Sequence, residues 1–185
     1  MVIDSGFFGT SANSILRIDD FLSKEELDVI LYTAKNLDIW DPVGQDSQWT
    51  NRHTDDRKLF NNAPDIYRLI QEIHKKLSIR VSNLYGVKVS PNGITIARWF
   101  PGNSQDPHSD MLGFADNEMG SVIYLNEDYN GGEIYFPQHD LEIKPSVGSA
   151  IIFPGDEHYM HGVREIKSGI RYTLPIFWKV IYEDK

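Results

Sequence analysis

SVIYLNEDYNGGEIYFPQHDLEIKPSVGSAIIF, residues 121–153, alternates short β-rich runs with turn residues. Ser121–Leu125, Glu133–Phe136, Leu141–Ile143 and Ser149–Phe153 each have the length of a strand and not of a helix. Asn130-Gly131-Gly132 between two of them is a sharp turn. The pattern continues outward on both sides. Val87–Ser90 and Ile94–Phe100 precede it, joined through the hairpin signal Asn92-Gly93, and His158–Val163 and Arg171–Val180 follow. Short strands at this spacing predict a sandwich or jelly roll of antiparallel strands, so the fold class is α+β, mainly β.

Upstream the pattern becomes helical. Ser23-Lys-Glu-Glu26 is a capping box, and Leu27, Ile30, Leu31, Ala34 and Leu37 recur at helical spacing after it. Pro64 suits the first position of a longer helix, whose stripe Ile66, Leu69, Ile70, Ile73, Leu77, Val81 and Leu84 ends before Gly86. The two helices are expected to pack on one outer face of the β structure. Asp41 to Asn62 between them is expected to be a long polar loop that folds over the site mouth. His74, beside Lys75 and Lys76, is expected on a solvated face, and His139 in a turn.

The 185 residues suit one domain, 1–185, with 1–86 as helical support and 87–185 as the jelly-roll core. Eighteen Lys and Arg against 27 Asp and Glu give a net charge of -9, which repels phosphate backbones and anionic bilayers. Nucleic acid and membrane are therefore not expected as partners. No apolar run approaches the roughly 20 residues that span a bilayer, and MVIDSGFFGTSANS lacks the basic and apolar regions of a signal peptide. A cytoplasmic location is expected. With no cysteine, the chain has no disulfide, no thiolate nucleophile and no sulfur ligand for a metal. Any metal must be held by His, Asp and Glu.

Six histidines are present, and His108-Ser109-Asp110 singles one out. In an extended chain the side chains of 108 and 110 share a face, so an imidazole and a carboxylate converge. His161 is the best third ligand, being on a late strand that a jelly roll brings beside His108; His158 competes with it. Two His and one carboxylate on one side of an ion leave the opposite positions open, as in the facial triad of non-haem Fe(II) oxygenases. Arg171 follows ten residues after His161. An inward-facing guanidinium is costly unless it meets an anion, and it matches a carboxylate two-pronged. Tyr124 offers a hydroxyl to the same carboxylate.

The order His108-Ser-Asp110, Tyr124-Leu-Asn126, Gly131-Gly-Glu133, Phe153-Pro-Gly155 and His161 with Arg171 ten residues on resembles the iron(II)/2-oxoglutarate dioxygenases of the prolyl 4-hydroxylase-like branch. The match runs over about residues 94–180, and Leu16–Phe21 with the capped helix resembles the family's opening strand and helix. The resemblance implies a double-stranded β-helix, with His108, Asp110 and His161 as Fe(2+) ligands. It also implies Arg171 and Tyr124 as the holders of the distal carboxylate of 2-oxoglutarate. O₂ is the oxidant and ascorbate an accessory reductant. The implied reaction is hydroxylation of an unactivated C–H, first of all in a prolyl residue of a peptide or protein, with release of succinate and CO₂. Retention of Asp110 disfavours halogenation. Trp49, Arg52, Trp99 and Phe177 are candidate substrate contacts. Phe100 stands where relatives often carry a Tyr, and a phenyl ring donates no hydrogen bond. A free amino acid or other small molecule is the alternative substrate. In a different class, a non-catalytic cupin-like binding module is the alternative function.

Overall fold

The computed structural model describes residues 6–42, 51–112 and 116–182. Helix α1 (Lys24–Asn36) starts on the complete capping box: the Ser23 hydroxyl accepts from the Glu26 N–H, and the Glu26 carboxylate accepts from the Ser23 N–H. This satisfies two of the amide donors that a helix start leaves orphaned. Helix α3 (Pro64–Tyr85) has proline in its first turn and stops at Gly86, whose φ of 69° is the left-handed conformation glycine adopts without strain.

Twelve strands are described: β1 (Leu16–Ile18), β2 (Lys88–Asn92), β3 (Ala97–Trp99), β4 (Gln105–His108), β5 (Met119–Tyr124), β6 (Asn130–Gly131), β7 (Ile134–Phe136), β8 (Leu141–Ile143), β9 (Ala150–Pro154), β10 (His161–Val163), β11 (Ile166–Ser168) and β12 (Arg171–Ile181). The larger sheet runs β1-β9-β5-β12-β2, with β3 also paired to β12, and the smaller runs β4-β10-β7-β8. Every pairing is antiparallel. The double-stranded β-helix architecture expected from the sequence is the one observed.

Strand β12 is the hub. One edge pairs Thr173–Trp178 with β5, while the other pairs Arg171–Thr173 with β3 and Phe177–Ile181 with β2. Side chains alternate across it. Tyr172, Leu174, Ile176, Trp178 and Val180 join the core beneath the helices, against Ile30, Ile70, Ile73 and Leu77. Arg171, Thr173, Pro175 and Phe177 face the opposite way, into the space between the sheets. Strand β9 divides likewise, with Ala150 and Ile152 under the helices and Ile151 and Phe153 inside. Each fully buried aliphatic or aromatic side chain contributes about 1.5–3 kcal/mol to folding. The Trp178 indole N–H donates to the Ser121 hydroxyl at 2.7 Å, so its one polar atom is satisfied in the core.

Three expectations are corrected. Residues 51–62 are not loop: Trp40 pairs with Thr54, His53 pairs with Ala97, and Asp56–Asn62 form a helix, α2, capped by the Asp55 side chain. Residues 43–50, Trp49 among them, lie outside the described residues. The strand expected from His158 begins at His161, because Glu157–Tyr159 is a short 3-10 turn. His74 is 2% exposed, with its ring edge-on to Trp178 at 6.2 Å between centroids. It lies one turn after Ile70 and just before Leu77, on the buried side of α3, while Lys75 is exposed and Lys76 reaches the Phe21 carbonyl.

Burial lowers the His74 pKa from 6.5 to about 4. As pH falls below 6.5 the unfolded chain takes up this proton first, so the folded state loses stability until about pH 4 is reached. His74→Leu should therefore lose less stability between those two pH values in denaturant titrations. An unchanged acid-side slope would contradict the buried, neutral imidazole.

Candidate active site

Between the two sheets lies a cavity of about 210 Å³, with Trp99, Arg171, Thr173 and Phe177 on one wall and His108, His161, Ile134 and Val163 on the other. Pockets for drug-sized ligands hold roughly 300–1,000 Å³, so this one has room for a smaller molecule.

At one end, β4 and β10 pair with His161 opposite His108 and Val163 opposite Gln105. Two steps on β10 match three on β4, and this bulge lets both His108 and Gln105 face the cavity. Strand β4 ends at His108, and Asp110 sits in the turn that follows. The carboxylate therefore reaches the imidazoles by a turn, not by the strand alternation expected from the sequence. Ser109 holds that turn, its hydroxyl donating to the Gly155 carbonyl at 2.7 Å.

The Asp110 Oδ1 lies 3.6 Å from His108 Nε2 and 3.7 Å from His161 Nε2. One ligand atom from each residue falls within 4.8 Å of the others. On both rings Nδ1 is within reach of a main-chain carbonyl two residues earlier, Asp106 at 3.1 Å and Tyr159 at 3.2 Å. A carbonyl only accepts, so Nδ1 carries the proton and the Nε2 lone pair is left pointing at the cluster. Burial brings the His161 pKa down to about 4 and lowers that of His108, helped by the neighbouring imidazole. Both rings are neutral at pH 7, the form that ligates a metal. Burial also raises the Asp110 pKa, and its Oδ2 is buried without a hydrogen-bond partner. A cation at this point would satisfy that oxygen. The donor set of two imidazoles and one carboxylate fits Fe(II) and leaves open positions.

The floor is Gly120. A Cβ there would stand 2.5 Å from Asp110 Oδ2 and 2.6 Å from the Phe153 ring, so only glycine leaves the carboxylate its place. His158 takes no part in the cluster; its main-chain carbonyl is bound by the His139 ring, and its N–H donates to Asp156.

Arg171 stands on the wall of the same cavity, 2% exposed. Its Nη2 donates to the Tyr124 hydroxyl at 3.2 Å, and Nε is buried without a hydrogen-bond partner. The guanidinium lies 4.9 Å from the Tyr124 ring and 5.4 Å from the Trp99 ring. Burial raises the pKa of Tyr124 and Tyr129, and Arg171 pulls both back. A buried cation with a free edge among aromatic rings fits the carboxylate of a small acid.

Of the candidate substrate contacts, Trp99 and Phe177 line the cavity. Arg52 does not form an open cationic groove: it is 3% exposed and stacks on Trp99 at 4.1 Å. Burial, and then Arg171, lower its pKa to about 10. Phe100 is outside the cavity, beside Arg98. Sequence reasoning missed His53, Tyr129 and Thr173. His53 lines the cavity, and burial followed by Arg52 lowers its pKa to about 4. Its signal was distant, since it lies in a stretch without strand periodicity.

A double-stranded β-helix with two imidazoles and one carboxylate at one end of its cavity defines a non-haem metal oxygenase type of site. Residues 94–179 match the family model described as the 2OG-Fe(II) oxygenase superfamily. Over these residues the chain resembles that superfamily, and the relatives it matches are prolyl hydroxylases among others. It is 25% identical to Prolyl 4-hydroxylase 1 of Arabidopsis thaliana over 197 residues, 86% of this chain and 66% of that protein. It is 23% identical to the human 2-oxoglutarate and iron-dependent oxygenase domain-containing protein 3, over 60% of this chain and 40% of that one. The chain thus spans less than two thirds of the length of these curated relatives. Among solved structures, a viral collagen prolyl hydroxylase from Paramecium Bursaria Chlorella virus-1, in complex with 2-oxoglutarate, superposes with a TM-score of 0.65. That match has 21% identity and covers 92% of this chain and 98% of the other. A Trichoplax adhaerens prolyl hydroxylase, in complex with a hypoxia inducible factor peptide fragment, gives a TM-score of 0.63 at 18% identity, over 91% and 84%. The family works with Fe(2+), 2-oxoglutarate and O₂.

Gly120→Ala should weaken Mn(II) binding in calorimetry by about tenfold or more. His161→Ala should remove it, and His158→Ala should leave it unchanged. Retained affinity in His161→Ala with loss in His158→Ala would reverse the assignment.

Proposed function

We propose that this chain is an Fe(II)- and 2-oxoglutarate-dependent oxygenase that hydroxylates an unactivated C–H, with a prolyl residue of a peptide or protein as its substrate. The observation that carries the reading is one cavity with the His108, Asp110 and His161 cluster at one end and the Arg171 guanidinium on its wall. The names of the relatives carry the choice of proline.

In this reading His108, Asp110 and His161 hold the metal, and their two Nδ1–H···O=C bonds fix both rings before it arrives. Arg171 and the Tyr124 hydroxyl would hold the distal carboxylate of 2-oxoglutarate. When bound, iron and 2-oxoglutarate supply an oxidant by oxidative decarboxylation with O₂, releasing succinate and CO₂. The aliphatic and aromatic walls from Val122, Ile134, Phe153 and Val163 keep water from the reacting end. Phe177, half-buried, and Trp99 meet the substrate, and Arg52 supports Trp99 from behind.

The test is succinate formation on Fe(II), 2-oxoglutarate and a panel of proline-containing peptides, with mass spectrometry for a product one oxygen atom heavier. Succinate without a modified peptide would overturn the prolyl substrate; no succinate at all would overturn the oxygenase. Arg171→Lys replaces a two-pronged contact by a point charge and should raise the apparent KM for 2-oxoglutarate by about tenfold. An unchanged KM would remove Arg171 from the site.

A further inference from the structure

Asn126 lies two residues beyond Tyr124, where the chain leaves β5, and it is 5% exposed. The register of β5 against β12 ends with Tyr124 opposite Thr173, and one more main-chain bond follows, Leu125 N–H to the Tyr172 carbonyl at 3.0 Å. There the Asn126 carboxamide takes over from the backbone. Its Oδ1 accepts from the Tyr172 N–H at 2.7 Å, and its Nδ2 donates to the Ile170 carbonyl at 2.7 Å. These two groups flank Arg171. Nδ2 also donates to the Asp128 carboxylate, which lies 3.7 Å from the Lys35 ammonium of α1. A flipped amide would set oxygen against oxygen and N–H against N–H, so only one orientation is satisfied.

On the opposite edge of β12 the Arg171 backbone pairs with Trp99 of β3, so Asn126 closes the edge that faces β5. The Arg171 side chain donates to the Tyr124 hydroxyl and also meets the Tyr129 hydroxyl, while Nε makes no hydrogen bond. Its position is set by the backbone beneath it and by the aromatic rings beside it. We propose that Asn126 is the positioning residue for Arg171, its side chain acting as one further rung of the β5–β12 ladder that sets where the guanidinium meets a dicarboxylate. The inference rests on the reading that Arg171 binds the distal carboxylate of 2-oxoglutarate. Two-pronged contacts tolerate little displacement, so freeing the backbone at Arg171 weakens the distal grip and leaves the metal end untouched.

The experiment is calorimetry on the full chain loaded with Mn(II), with 2-oxoglutarate and, separately, pyruvate, a 2-oxo acid without the distal carboxylate. Asn126→Ala should weaken 2-oxoglutarate by about tenfold while Mn(II) and pyruvate stay within about twofold. In an Arg171→Ala background the same substitution should cost 2-oxoglutarate nothing further. Should Asn126→Ala not fold, Asn126→Asp keeps the acceptor for Tyr172 and loses both donors, and the same selective loss is expected. Equal losses for both acids, no loss, or an undiminished effect without Arg171 would overturn the proposal. If the unsubstituted protein bound pyruvate and 2-oxoglutarate equally, the role of Arg171 itself would fall, and that of Asn126 with it.

Discussion

Strand β12 separates two environments with a period of two residues. Its even-numbered side chains fill the core under the helices, and those of Arg171, Thr173, Pro175 and Phe177 form a wall of the cavity. A slip of one residue against β5 would put Trp178 and Leu174 into the cavity and Arg171 into an apolar core without an anion. Either exchange is costly, the first in lost burial and the second in a buried unpaired charge. The packing that stabilises the fold and the orientation that places the guanidinium are thus one constraint.

The metal end depends on a different kind of precision. Register between β4 and β10 sets His161 opposite His108, a bulge turns Gln105 inward beside them, and a turn brings Asp110 back. Each imidazole is fixed in tautomer by a carbonyl of its own chain. The carboxylate is kept dry and partly unsatisfied, with Gly120 leaving the space it needs. Such a site stores desolvation cost that a cation relieves, which ties metal affinity to burial.

Much of this was legible in the residues. The strands from Ser121 to Phe153, the capping box at Ser23 and the proline and glycine bounding α3 are signals with local physical causes, and the structure carries them within a few residues. The spacing of His108, Asp110, His161 and Arg171 was readable because a jelly roll brings late strands beside early ones. What was not legible depended on distant partners. His74 looked solvated beside two lysines, yet its place one turn from Ile70 and three residues before Leu77 was the better guide. Helix α2 has one buried residue, Leu59, in seven, too few for a periodic stripe. Strand β4, Gln-Asp-Pro-His, has no strand propensity at all and exists through its pairing with β10. The turn that delivers Asp110 and the amide of Asn126 are likewise tertiary facts.

The site requires the metal cluster and the Arg171 wall of the cavity to act on one molecule. Its most direct test is an anaerobic titration of the Fe(II)-loaded protein with 2-oxoglutarate, followed by visible absorption. A weak charge-transfer band that grows to saturation, and that is missing when Asp110 is replaced by alanine, is the predicted result. No band at saturating acid, or the same band without Asp110, would contradict the assignment of this cavity as an iron and 2-oxoglutarate site.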